Sequence, residues 1–285
     1  MKARQEVTGL PAGGSAIDVE NIADGVRGLV LQRFDSSISM LKDPDIPAPQ
    51  LVHELRKNMK NVRAGLRLLS DAGQLDLADL ENECGEIGRK LSRLRDYDVV
   101  LETLPFLEGA PTKGRDSEAW KRFEELLHDE RKILLESGLL GDEWREDTVD
   151  RLDQAARLLT ALDIPVIAME PFQWARNLAR RKARKALRKL NDEPGDEGFH
   201  RLRKRSKREL YQRRFLQAHT GTGDHGITDQ LDLLCRELGL QQDVIVLIGL
   251  AESHGLLTEG LDQWLNSHLR RLRVQAKALA AGLYD

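Results

Sequence analysis

The sequence predicts an all-α chain, arranged as two four-helix bundles related by an internal pseudo-two-fold duplication. Three observations carry that reading. Leu, Arg, Glu, Asp and Ala dominate the 285 residues while β-branched residues are sparse, and such a composition favours helix. No alternating apolar run of strand length occurs, and no hairpin dipeptide separates apolar runs. The stretch His53 to Arg67, HELRKNMKNVRAGLR, returns 147 positions later as His200 to Arg214, HRLRKRSKRELYQRR. With that offset and no gap, eleven of the 47 positions from 53 to 99 are identical, Asp96 and Asp243 among them. Common Leu and Arg raise chance matches. A His and an Asp spaced 43 apart in each copy favour duplication.

The elements follow in order. Residues 1–16 contain LPAGGS and read as a loose tail. Ile17 to Leu41 has apolar residues at helical spacing and is stopped by the three prolines of DPDIPAP. A second helix runs from Gln50 to about Ala72, with Gly73 as its ending residue. Asp76 to Leu104 reads as one helix, stopped by Pro105 and the loop GAPTKGRD, and Glu118–Glu136 and Asp142–Leu162 complete the first half, 17–163. The order then restarts in 164–285: helices over Glu170–Leu190, Phe199–His219, Ile227–Ala251 and Leu257–Leu283. Short connections favour antiparallel neighbours.

Charge is unevenly spread behind a formal net of -3. From Gln173 to Phe215 there are sixteen Arg or Lys against five acids, whereas Asp71 to Glu86 holds six acids and no base. An anionic partner belongs with the basic segment. Cys84 and Cys235 lack metal-ligand spacing and read as small buried residues. There is no continuous apolar leader and no apolar run approaching a membrane span, so the expected location is cytoplasmic. No Gly-rich phosphate loop with Lys and Ser or Thr occurs, and no HExxH cluster. The His219 and His225 pair flanking TGTGD reads as a solvated glycine loop. No catalytic residues, metal or cofactor are expected.

On a helix, His53, Arg56, Lys57, Lys60, Arg63 and Arg67 fall at i, i+3, i+4, i+7, i+10 and i+14. They form one cationic face about 20 Å long. Val52, Leu55, Met59, Val62, Leu66 and Leu69 form a separate packing stripe. The second copy presents His200, Arg203, Lys204, Lys207 and Arg214. Arginine forks and mobile lysines over several turns suit a polymeric anion. Asp96 and Asp243 are each read either as a plain surface ion pair or as the holder of an arginine, with Arg89, Arg93 and Arg236 the candidates. Those three join the anion-contacting set. Arg176, Arg180, Arg184 and Arg188 repeat every four residues in RNLARRKARKALRK. We expect that helix to line the same groove, which adds Arg180 and Arg184.

The pattern H-x-x-R-K-x-x-K-x-x-R at His53–Arg63 resembles the first signature of the CHAD domain, the conserved histidine α-helical domain. His200–Lys207 resembles its second, and L-x-x-x-R-D-x-D-V at Leu91–Val99 also fits. The likeness extends from about residue 17 to 283. It implies two four-helix bundles and binding of inorganic polyphosphate in a basic cavity or pore between them, in association with polyphosphate granules. Carried over by position, the binding residues are His53, Arg56, Lys57, Lys60, Arg63, His200, Arg203, Lys204 and Lys207. The second half departs from the first: Leu210 stands at the place of Arg63, Tyr211 at Ala64, Gln242 at Arg95 and Ile245 at Asp98. Arg208, Arg213 or Arg214 are then the expected substitutes. The resulting expectation is a non-enzymatic polyphosphate-binding protein. Two alternatives stand beside it: a helical protein that binds nucleic-acid backbones, and an enzyme acting on polyphosphate through His53 or His200.

Overall fold

The computed structural model describes residues 22–104, 117–221 and 223–284. The expected tail, the residues 17–21 that open the first predicted helix, and the Pro105 and GAPTKGRD loop lie outside them. The described residues are all-α, with no strand among them. The helices are α1 (Ile22–Lys42), α2 (Ala48–Gly73), α3 (Ala78–Lys90), α4 (Ser92–Thr103), α5 (Ser117–Glu136), α6 (Asp142–Ala161), α7 (Met169–Asp192), α8 (Asp196–Thr220), α9 (His225–Ser253) and α10 (Glu259–Tyr284).

Packing within the two halves runs in the same order. α1 lies on α2 and α2 on α3, as α7 lies on α8 and α8 on α9. α6 packs on α1 and α5 on α4, while α10 packs on both α7 and α9. Two broken rods, α3–α4 and α5–α6, thus stand where the second half has the continuous α9 and α10. The first break corrects the single helix read over 76–104. Leu91 leaves the helical region (φ -86°, ψ 0°) and its N–H bonds Arg89 instead of continuing the α ladder. The Arg56 guanidinium donates to the freed Gly88 carbonyl at 2.5 Å and to Ser92 Oγ at 2.7 Å. A charged side chain from α2 thereby satisfies the orphan acceptor that a helix end creates.

The stripe predicted on α2 is buried in full: Val52, Leu55, Met59, Val62, Leu66 and Leu69 are at most 1% exposed. Each such side chain contributes about 1.5–3 kcal/mol relative to solvent exposure. Pro47 precedes the helix, and Gln74 rather than Gly73 takes the left-handed ending conformation (φ 53°). Gly73 is the last helical residue, where a Cβ would come 2.8 Å from Ile167 Cδ1. Asp224 caps α9 by accepting from Ile227 N–H at 3.1 Å.

Three apolar cores hold the helices. The first joins α1, α2, α3 and α6, and takes in Phe172 and Ala175 of α7 and Phe215 and Leu216 of α8. The second lies within α7, α8, α9 and α10. The third is shared: Tyr97 and Val100 of α4 and Phe123 and Leu127 of α5 pack with Val244, Leu247 and Ala251 of α9 and Leu265, Leu269 and Leu272 of α10. The halves are also cross-laced, because α1 touches α8, α7 touches α2, and α2 crosses α8. Gly65 permits that last crossing: a Cβ there would stand 2.5 Å from Val30 and 3.0 Å from Phe215.

Candidate anion-binding groove

Four helices meet around a cavity of about 630 Å³, with α2 and α8 on one side and α4 and α9 on the other. Eight cations line it: Arg56, Lys57, Lys60, Arg95, Arg203, Lys207, Arg214 and Arg236. Against them stand three carboxylates, Asp96, Asp232 and Asp243, with His53 and His200. A second cavity of about 490 Å³ shares Lys60, Arg203, Lys207 and Tyr211 with the first. It adds Arg63, Arg201, Lys204, Arg205 and Arg208 against a single acid, Glu197. Among the predicted residues, His53, Arg56, Lys57, Lys60, Arg63, His200, Arg203, Lys204, Lys207, Arg214 and Arg236 are brought to one or other cavity.

The others are not. Arg67 faces the nearly buried Glu81 at 3.4 Å, and Arg89 lies beside Glu86 at 3.7 Å on the surface. Arg93 donates from Nε to the Tyr97 hydroxyl at 3.3 Å, in an adjoining depression with Glu130 and His254 that meets the groove at Asp96 and Val246. Arg180 is turned inward, bonded to the Leu283 carbonyl and 3.6 Å from the fully buried Glu209. Arg184 lies on the outer face of α7 with Arg181 and Arg188. The four-residue repeat explains the split. Each step of four advances about 40° around a helix turning 100° per residue. The series Arg176, Arg180, Arg184, Arg188 therefore spirals out of the interior into solvent, and α7 does not line the groove.

The partners expected for the two aspartates also need correction. Neither Asp96 nor Asp243 has an ion pair within 4 Å among the described residues. Asp96 has its pKa raised by burial, opposed most strongly by Arg56. Asp243 is likewise raised by burial, opposed first by Arg203. Arg56 and Arg203, rather than Arg89, Arg93 or Arg236, are their principal cations. Asp98, which the sequence pattern groups with them, is buried and accepts from Arg131 Nε at 2.7 Å. Its counterpart Ile245 packs on the shared apolar core. The substitution Asp98 to Ile245 thus belongs to packing and leaves the groove intact.

At the junction of the two cavities, burial lowers Lys60 to about 7, and the nearby Lys207, Arg56, Arg203 and Arg95 push the same way. Burial lowers Lys207 to about 8, with Arg203 the main repelling charge. Amines in a tight cationic cluster hold their protons poorly until an anion arrives. Burial and then Arg95 lower His53. The Nδ1 of His200 stands 3.1 Å from Gln242 Oε1. Buried Arg203 Nε and Arg63 Nε have no hydrogen-bond partner among the described residues. Arg95 is instead held by Glu102 through two bonds of 2.9 and 3.1 Å. Burial pushes the thiols of Cys84 and Cys235 up to about 12, so both are inert fillers.

Arg95, Arg201 and Arg205 were not selected as contacts from the sequence. Arg95 sits in the L-x-x-x-R-D-x-D-V run, so a signal for it was present. Arg201 and Arg205 flank Arg203 in the densest charge run, and only the rotation of α8 against α2 tells which of them face inward. Of the three suggested substitutes, Arg208 lines the second cavity and Arg214 the first. Arg213 is buried, donating to Glu209 at 3.1 Å.

The model of the CHAD domain family matches residues 39–252, three quarters of the chain. The chain belongs to the CHAD family. Among solved structures, it is similar to the crystal structure of the CHAD domain from the plant Ricinus communis. The TM-score is 0.61 at 18% identity, over 98% of this chain and 97% of that one, a likeness of fold. No curated protein matches. The matched span takes in every groove-lining residue of α2, α4, α8 and α9, so the CHAD signature and the cationic cavities coincide.

Proposed function

We propose that this CHAD domain binds inorganic polyphosphate, without catalysis, in the two joined cavities lined by α2, α4, α8 and α9. One observation supports the reading above others. Cations from both basic helices converge on a shared junction, Lys60, Arg203 and Lys207, that carries no carboxylate of its own. Concentrated positive charge in a recess suits a thin linear polyanion, whose phosphates can meet several cations in succession. The arrangement also fits a duplicated ancestor, with one anion site drawn from two unequal copies. Aromatic platforms for base stacking are few there, which disfavours nucleic acid.

The test replaces Lys60, Arg203 and Lys207 together by Gln. Long-chain polyphosphate, followed by calorimetry over a salt series, is expected to lose at least about a hundredfold in affinity, with a shallower dependence on salt. The helical circular-dichroism signal should persist. Unchanged affinity and salt slope would place the ligand elsewhere. Release of orthophosphate from polyphosphate by the wild-type chain, lost in His53→Ala or His200→Ala, would replace binding by catalysis.

A further inference from the structure

We propose that the outer face of α7 is a second anion track, which takes the part of a long polyphosphate chain that projects beyond the groove. The proposal rests on the binding reading above and extends it to a surface outside both cavities. Arg181, Arg184, Lys185, Arg188 and Lys189 surround a shallow depression of about 680 Å³, with Asp192 and Glu193 only at its far end. At 100° per residue these five cations and Lys182 fan over about 160° of the helix. The opposite side carries Ala179, Ala183, Ala186, Leu187 and Leu190, all buried. Packing therefore fixes the helix and leaves its whole cationic face outward.

An ordinary solvated face looks different in this same molecule. On α5 and α6, exposed bases pair one turn along the helix, Lys132 with Glu136 and Arg157 with Asp153. On α7 no acid occurs from Arg176 to Leu190, and Lys189 reaches past that run to pair with Glu193 at 3.8 Å. Among the described residues, Arg181, Lys185 and Arg188 make no ion pair within 4 Å. Like charges at i, i+4 destabilise a helix, and Arg181 with Lys185 is such a pair.

The face is also connected to the cavities. Lys182, on the edge of the fan, is lowered by burial; Asp71 opposes this, and nearby Arg208, Arg67 and Arg205 add to the lowering. Arg205 and Arg208 line the second cavity. Positive charge thus runs from that cavity through Lys182 onto the α7 surface. A flexible single-chain polyanion can leave a recess and bend over a convex helix. A stiff duplex cannot enter the recess, so a linear polyphosphate fits both places and a duplex fits only one.

The deciding variant is R181Q/K185Q/R188Q/K189Q, all exposed positions exchanged for a good helix former. Long-chain polyphosphate and tripolyphosphate are titrated against it and against wild type over a salt series. The expected result is about a tenfold or greater loss for the long chain, a salt slope reduced by up to about 3, and tripolyphosphate unchanged. Equal long-chain affinity and slope in the two proteins would overturn the track. So would loss of duplex DNA binding with long-chain binding retained, which would give the face to nucleic acid. Failure of wild type to bind either polyphosphate would instead overturn the groove reading, and this extension with it.

Discussion

Arg56 and Arg203 stand 147 positions apart and line the same groove, yet they are held differently. Arg56 spends its guanidinium on the break between α3 and α4, bonding Gly88 and Ser92. The matching stretch of α9 is continuous, with Cys235 and Gly239 in those places, and Arg203 Nε is left buried without a hydrogen-bond partner among the described residues. A similar trade recurs one turn further. Arg95 is clamped by Glu102, whereas its counterpart Gln242 meets His200. In the first half, some cations serve the fold. In the second, the fold holds itself and leaves Arg203 to the proposed ligand. Copies of one pattern can thus divide structural and binding work between them.

The division is most exposed to attack at that arginine pair. Arg203→Ala should lower polyphosphate affinity by ten- to a hundredfold, the worth of about 1.5–3 kcal/mol for a charged hydrogen bond, with little change in thermal midpoint. Arg56→Ala should lower the midpoint by several degrees and weaken binding less. Equal effects in calorimetry and thermal unfolding would erase the distinction.

Cross-lacing offers the next test. Gly25 of α1 lies against the His219 ring of α8 with no room for a Cβ, while Gly28, one turn on, has nothing within 4 Å. Gly25→Ala should destabilise by about 1–3 kcal/mol through overpacking. Gly28→Ala should stabilise by about 0.5–1 kcal/mol through helix propensity. Chemical denaturation reads both, and like signs would deny that α1 is wedged on the other half's helix.

Acidity sharpens the comparison at the junction. Lys60 titrates near 7 in the folded chain, against 10.5 for an ordinary lysine. Between those values the unfolded chain binds more protons, so stability should rise with pH across that window. A bound polyanion favours the protonated amine. Affinity should therefore fall several-fold from pH 7 to 9, with proton uptake on binding near pH 8. Lys60→Met with Lys207→Met should flatten both dependences and raise the thermal midpoint. A pH profile of the double variant parallel to wild type would remove the lysines from the account. The smallest effect is expected from Glu102→Gln. Freeing Arg95 from a half-exposed carboxylate is worth under about 1 kcal/mol, a two- to threefold gain in affinity. A loss would mean that Glu102 orients Arg95 for the ligand.

Much of this could be read from residue spacing. The buried stripe of α2, the all-α composition and the convergence of two basic faces follow from periodicity and repetition. The side of a helix facing a neighbour is harder to read when charge encircles it. Arg180 and Arg184 differ by four residues and about 40°, enough to put one against Glu209 and the other on the outer face of α7. No Pro or turn sequence marks the break at Leu91; a tertiary donor, Arg56, makes it stable. Nothing in the sequence around Asp96 and Asp243 marks their partners, because the cations that weigh most on them come from α2 and α8.

The apolar core shared by α4, α5, α9 and α10 has a mechanical consequence. It rivets together the two helices that form one jaw of the groove, while Gly65 and Phe215 draw the opposing pair into close contact. A slot riveted on one side and pinched on the other has a fixed gauge. The proposed polyanion would be admitted by thickness before it is recognised by charge. Association should then be fast and governed by ionic strength, as for a thread drawn into a rigid eyelet.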